Sequence, residues 1–205
     1  MTFKYYKNDL PDNLELSNEI AIDTETLGLN NFRDRLCLVQ LSSGDGIAHL
    51  VHFDSKSDYY APNLVKLLTD EKILKIFHYA RFDMAILQKT FNIKVKNIYC
   101  TKIASKIART YTSAHGLKVL IKEFFNIDIS KKEQSSYWGG DNISEEQLTY
   151  ASNDVLYLHK IKEKLEIILK NENRKYLLDE CLKFLPTRVD LDLKGWLDMD
   201  IFSHE

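Results

Sequence analysis

Asp23 and Glu25 stand two residues apart at the end of the apolar run Glu19-Ile-Ala-Ile-Asp23. In an extended strand, residues i and i+2 point to the same side. The pair would therefore set two carboxylates side by side, where they repel unless cations hold them. Taken alone, D-x-E is also the pattern of an ordinary solvated strand end. Asp83 lies just past the run Ile73–Phe77, in the first turn of the helix expected there, a place where the helix dipole favours any acid. Tyr150 and Asp154 are one helical turn apart and share a face. Asp154 falls beside the apolar stripe of its helix rather than opposite it. A carboxylate at a core margin is costly unless it is paired or binds metal, and no Lys or Arg stands three or four residues before it.

These four acids come from three elements: a strand end, a helix start and a helix margin. Carboxylates with few His or Cys suit hard cations such as Mg²⁺ or Mn²⁺ rather than zinc. Two such ions about 4 Å apart stabilise the attacking and leaving oxygens of phosphodiester cleavage. The chain has no P-loop, no G-x-G-x-x-G and no serine nucleophile elbow.

The elements that must position these acids can be read from the pattern. Glu19–Asp23, Arg35–Leu41 and Ile47–Phe53 read as three strands joined by short polar loops, an antiparallel meander. Pro62 opens a helix. A strand Ile73–Phe77, a helix Arg81–Thr90, a strand Lys96–Cys100 and helices Thr101–Arg109 and Gly116–Phe125 follow. Ser144 and Gln147 form a capping-box pattern before one long helix, Ser144–Lys170, whose apolar residues recur at steps of three and four. A last helix, about Arg174–Phe184, should stop at Pro186. Strands first, then alternating strand and helix, predict an α/β domain with a mixed sheet. The expected organisation is one domain over 1–170, with a C-terminal helix and tail (171–205) packed on it.

Composition bounds the rest. The 205 residues are 44% hydrophobic and 28% charged, the balance of an ordinary globular chain. No run approaches the ~18 apolar residues of a membrane span, and the first ten residues hold no secretory apolar segment. Three Cys without any C-x-x-C fit a reducing, cytoplasmic setting. The net charge is −2, but Lys94–Lys132 carries nine Lys or Arg against two acids. That stretch could steer a polyanion to one face, or it could be a set of solvated helix faces. Lys102, Lys106 and Arg109 are spaced along one helix face and are candidates for phosphate contact. His78 is open between a core histidine and a site residue. Trp138, before Gly139-Gly140, reads as a loop anchor or a gate. Packing or plain exposure accounts for Tyr5, Tyr6, Tyr59 and Tyr60.

Three segments, in order, carry a specific resemblance. Ala21-Ile-Asp-Thr-Glu25 followed by Leu36-Cys-Leu-Val-Gln-Leu41 resembles the first motif of the DEDD 3′-5′ exonucleases. Ile76-Phe-His-Tyr-Ala-Arg-Phe-Asp83 resembles the second. Tyr150-Ala-Ser-Asn-Asp154 resembles the third in its Y-x-x-x-D form, the DEDDy branch. Thr101–Ser105 and His115-Gly-Leu117 are similar to ribonuclease D in particular. The resemblance implies a ribonuclease-H-like fold, a mixed central sheet flanked by helices. It implies two divalent ions, Mg²⁺ or Mn²⁺, held by Asp23, Glu25, Asp83 and Asp154, with Tyr150 orienting the attacking water. Thr24, Leu27, Gly28, His78 and Phe82 would lie near the terminal nucleotide. The implied activity is hydrolysis at the 3′ ends of single-stranded RNA, releasing nucleoside 5′-monophosphates in RNA processing or degradation. The alternatives are a DNA exonuclease, an inactive nucleic-acid-binding module and, on Asp23-Thr-Glu25 alone, a phosphatase. Larger ribonuclease D proteins add C-terminal helical domains; here only about 35 residues follow the third motif's helix.

Overall fold

The computed structural model describes residues 2–129 and 136–204; Lys131 and Lys132 of the basic stretch lie outside the described residues. Six strands form one mixed sheet. They are β1 (Thr2–Lys7), β2 (Glu19–Thr26), β3 (Leu36–Ser42), β4 (Ile47–His52), β5 (Leu74–Phe77) and β6 (Ile98–Cys100), in the order β1-β4-β3-β2-β5-β6. β2, β3 and β4 are the expected antiparallel meander. β5 and β6 extend β2 in parallel, and β1 extends β4 in parallel.

Seven helices cover the sheet: α1 (Pro62–Thr69), α2 (Ala80–Phe91), α3 (Thr101–Ala108), α4 (Leu117–Phe125), α5 (Glu145–Leu156), α6 (Leu158–Asn171) and α7 (Lys175–Leu191). The alternation of β2 sorts its side chains between two cores. Ile20 and Ile22 pack with Leu64, Met84, Leu185 and Val189 of α1, α2 and α7. Ala21 faces Leu120, Ala151, Val155 and Ile161 of α4, α5 and α6. β3 is buried at every position because both of its faces are covered. The architecture is the expected α/β one.

Three elements differ from the sequence reading. β1 was not expected, because a short polar terminus becomes a strand only by pairing with β4, forty-five residues away in register. Tyr5 and Tyr6 hold it there through hydrogen bonds to His52 and His49. The helix expected over 144–170 is interrupted at Tyr157, a turn residue between α5 and α6 at φ −105°, ψ −9°. α5 lies on β2, β3 and β4, whereas α6 packs on α3 and α4. One straight helix could not keep its apolar stripe on both supports. The ring of Tyr157 stacks on Phe125 at the bend. The third difference is Pro186, which sits inside α7 instead of stopping it. An interior proline costs about 3 kcal/mol. Burial of Leu178, Leu185 and Val189, at roughly 1.5–3 kcal/mol each, offsets that. The end of α7 is also fixed to α2, since Arg81 and Arg188 both pair with buried Asp192.

Arg109 corrects the expectation of a phosphate-contacting face. The helical spacing from Lys102 and Lys106 fails because α3 ends at Ala108 and Arg109 is its C-cap, at φ −112°, ψ 68°. Its side chain is 1% exposed and pairs with Glu123 of α4. It also donates to Ser105 Oγ (3.0 Å) and to the carbonyl of Ala114 (2.9 Å), so the loop after α3 folds around it. Lys106 is exposed and lies outside the main cleft. Arg109→Met should therefore lower stability by about 2 kcal/mol, because it leaves Ser105 Oγ and the Ala114 carbonyl without their buried donor and removes the partner of half-exposed Glu123. Lys106→Ala should stay within about 0.5 kcal/mol. Urea midpoints at unchanged slope would measure both.

Candidate active site

β2 outruns its parallel neighbour. Its ladder with β5 covers only Glu19–Ala21, so beyond Ala21 the strand is paired with β3 alone. The chain leaves β5 through Tyr79, which adopts left-handed φ 80°, ψ 42°. Such a conformation costs a bulky residue about 1 kcal/mol or more. It turns the first helical turn of α2 toward the exposed edge of β2. Asp83 arrives there 3% exposed and accepts a 2.7 Å hydrogen bond from Thr24 Oγ1. On the other face, Asp23 and Glu25 point together, as the strand period requires. α5, started by the Ser144–Gln147 capping box, brings Asp154 against them. Carboxylate oxygens of Asp23, Glu25 and Asp154 all lie within 4.8 Å of one another. A register shift between Glu25 and Thr26 bends the strand end at this point.

Burial and crowding act on these acids in the same direction. Asp23 is held well above the usual carboxylate range, first by burial and then by Asp83, Asp154 and Glu25. Glu25 is raised likewise by burial, Asp154 and Asp83, with Lys118 opposing. Burial pushes Asp83 up to about 7 against the hydrogen bond from Thr24. It pushes Asp154 to about 7 against Lys118 and Tyr150. Tyr150 is raised above an ordinary phenol by burial and then by Asp154, Glu25 and Asp23. Its hydroxyl therefore stays protonated at neutral pH.

A cleft of about 750 Å³ opens over these groups, lined by Asp23, Thr24, Glu25, Leu27, Gly28, His78, Phe82, Lys102, Tyr150 and Asp154. Every expected nucleotide neighbour thus borders one space, together with Lys102. Asp83 stands behind it through Thr24, and Lys106 and Arg109 are elsewhere. A Cβ at Gly28 would meet an Asp34 carboxylate oxygen at 2.4 Å, so a larger residue there would have to displace that side chain. His78 Nδ1 lies 2.9 Å from Thr101 Oγ1, which also donates to the Phe77 carbonyl (3.0 Å). Burial, with Lys102 nearby, pushes the ring down to about 3, so it is neutral.

Two residues without an assigned role on sequence grounds, Gln40 and Lys118, join the site, together with Trp138, which the sequence offered as a loop anchor or a gate. Gln40 lies directly opposite Asp23 across the β2–β3 ladder, fully buried, with Nε2 3.5 Å from Asp23 Oδ2. Its only signal was a lone amide inside the apolar run Leu36–Leu41. Lys118, just after His115-Gly-Leu117, lines the cleft with Nζ 4.6 Å from the Tyr150 ring centre. Trp138 is 3% exposed and forms a wall, its ring 6.2 Å from that of Tyr150.

A mixed sheet with flanking helices and an acid cluster at the end of a central strand defines the class of the exonuclease domains in ribonuclease D and Rrp6. The fold matches Escherichia coli RNase D with a TM-score of 0.73, at 23% identity over 88% of this chain and 48% of that one. The family model described as 3′-5′ exonuclease matches residues 7–170. The chain belongs to this 3′-5′ exonuclease family. Exosome complex component 10 of Homo sapiens is 32% identical over 78% of this chain, but the match covers 18% of that protein. Ribonuclease D of Haemophilus influenzae is 29% identical over 79% of this chain and 40% of its own length. The chain thus spans less than half of either relative. The structure of Brucella melitensis NrnC bound to pGG is 51% identical with a TM-score of 0.94, and each chain is covered completely. The same protein with bound Mg²⁺ gives 50% and 0.93. Among the described residues no helix is long and apolar enough to cross a membrane.

The raised carboxyls make a testable statement about pH. A group whose pKa is higher folded than unfolded stabilises the fold below its unfolded pKa and loses that contribution as pH rises through the folded one. For Asp83 and Asp154 the window runs from 3.8 to about 7. Protein treated with a chelator should therefore melt at progressively lower temperature between pH 4 and pH 7. Adding Mn²⁺ should restore the loss, with a larger increment at pH 7.5 than at pH 5.5. Thermal scans across that range would check it; an increment independent of pH would separate these acids from metal binding.

Proposed function

We propose that the chain hydrolyses the 3′-terminal phosphodiester of single-stranded RNA, releasing nucleoside 5′-monophosphates, and that it acts on short 5′-phosphorylated oligonucleotides. The observation that carries this reading is the convergence of Asp23, Glu25 and Asp154 on one cleft, with Asp83 the strongest charged neighbour of Asp23. Such a donor set suits hard divalent cations, since it concentrates negative charge that only Lys118 opposes among the named neighbours. Asp23 has Asp83, Asp154 and Glu25 as charged neighbours. Two ions, Mg²⁺ or Mn²⁺, held by these four acids would supply neutralisation at the attacking and departing oxygens.

The remaining groups bind and orient. Tyr150 keeps its proton, so it serves as a hydrogen-bonding guide for the attacking water and not as the base. Lys102 supplies positive charge at the cleft, its Nζ 4.3 Å from the Tyr79 ring centre. Leu27 and Phe82 offer apolar surface to the terminal base. His78 borders the space beside the terminal sugar. Thr24 and Gly28 shape the floor beside Asp83. The pGG complex of a relative aligned over its whole length supports the short-substrate reading. A role in RNA 3′-end processing or degradation follows from that chemistry. In this reading the C-terminal helix belongs with the same unit, a reading supported by Leu185 and Val189 of α7 packing in one of the cores.

The test is end-labelled RNA, from dinucleotides upward, with free or blocked 3′ ends, alongside matched DNA and with and without Mn²⁺. Cleavage of free RNA ends only, strongest on the shortest substrates, is expected; indifference to a 3′ block or to chelation would rule the reading out. Tyr150→Phe should slow single-turnover cleavage by about 100-fold through lost water orientation. Its metal titration should overlay wild type within about threefold, because all four carboxylates remain and under ~1 kcal/mol of binding is at stake. A wild-type rate would make Tyr150 a packing residue.

A further inference from the structure

Residues 136–141 carry Trp138 into the wall of the cleft, yet they contain no helix or strand. The segment is fastened at three points. From α5, Gln147 Nε2 donates to Ser136 Oγ (3.0 Å) and to the Tyr137 carbonyl (3.1 Å). At the other end, Ser55 Oγ donates to Asp141 Oδ1 (3.0 Å). Between them, Arg35 Nη2 donates to the carbonyl of Gly139 at 2.9 Å, so Trp138 is tied on both sides, by Gln147 at Tyr137 and by Arg35 at Gly139.

Arg35 is itself held from behind. Its Nη1 donates to the Phe53 carbonyl (2.8 Å) and to the Asp54 carbonyl (3.1 Å), just past the end of β4. A planar guanidinium with one nitrogen on the sheet and the other on the loop is a rigid bracket. A Cβ at Gly139 would come within 2.3 Å of Leu27 Cδ2 and 2.8 Å of the Tyr137 ring, so the loop rests directly on a cleft-lining leucine. Among the described residues, Trp138 Nε1 finds no hydrogen-bond partner. Its place is set by the backbone on either side and by packing against Tyr150.

We infer that Arg35 is a positioning residue. It clamps the Gly139 carbonyl, this holds the Trp138 wall in place, and the wall fixes the tilt of Tyr150 beside Asp154. The clamp is a statement about the fold; its effect on cleavage rests on the exonuclease reading above.

The chain has two tryptophans, so Trp196→Phe leaves Trp138 as the sole indole reporter. In that background, Arg35→Ala and Arg35→Lys should red-shift the emission and raise acrylamide quenching severalfold. Lysine is included because its shorter stem keeps a donor for the Phe53 and Asp54 carbonyls without bridging to Gly139, so it tests the clamp even if the alanine variant unfolds. On a short 5′-phosphorylated RNA, kcat should fall about 10-fold with KM within twofold, as misorientation near the reacting atoms predicts. Millimolar methylguanidinium should return both the emission and kcat of Arg35→Ala toward wild type, and leave Arg35→Lys unchanged. A folded Arg35→Lys protein with wild-type emission and quenching would overturn the clamp. So would lost cleavage with Trp138 still shielded. An emission shift in a protein whose parent cleaves no RNA would keep the clamp and sink the exonuclease reading.

Discussion

Asp23 has Asp83, Asp154 and Glu25 as charged neighbours in a place where burial alone already disfavours ionisation. Much of the fold around the cleft answers that one constraint. Carboxylates this close are tolerable only if they share protons or cations, and only if the scaffold prevents them from swinging out to water. Thr24 fixes Asp83, Gln40 sits across the ladder from Asp23, and the capped start of α5 fixes the helix that carries Asp154. Each restraint comes from a different element, so the cluster depends on the assembled sheet and helices together.

The sheet provides the opening. Because β5 pairs with only the first part of β2, the strand end carrying Asp23 and Glu25 has one edge unpaired by strand and covered by the first turn of α2. The same α2 is tied at Arg81 to Asp192, beyond the end of α7. The C-terminal helix therefore steadies the helix that delivers Asp83, although it contributes nothing to the cleft lining. A buried pair of this kind adds little net stability but strongly penalises any other arrangement.

Positive charge is divided between structural and site duties in a way that net charge conceals. Arg109, Arg81, Arg188 and Arg35 are spent on carboxylates and carbonyls within the fold. Lys102 and Lys118 border the cleft. Guanidinium groups suit the first duty because several fixed donors can satisfy several acceptors at once. A lysine ammonium, on a flexible stem, suits a mobile phosphate.

The meander, the βα alternation and the acids that the fold gathers around the cleft were legible in the sequence. The period-2 and capping signals are local, and Asp23, Glu25, Asp83, Tyr150 and Asp154 stand in short motifs whose spacing is independent of the rest of the fold. What the sequence could not determine depends on partners distant in the chain. β1 is a strand only because β4 is beside it, and the break at Tyr157 exists because α5 and α6 rest on different supports. Pro186 stays helical because the packing of α7 outweighs a local penalty. Arg109 looked like a phosphate contact until the end of α3 rotated it into a buried pair with Glu123. Gln40, Lys118 and the Arg35 bracket gain their places in the same way. A residue's type sets which bonds it can make, but only the tertiary structure, by deciding which groups are buried beside it, selects the bond that forms.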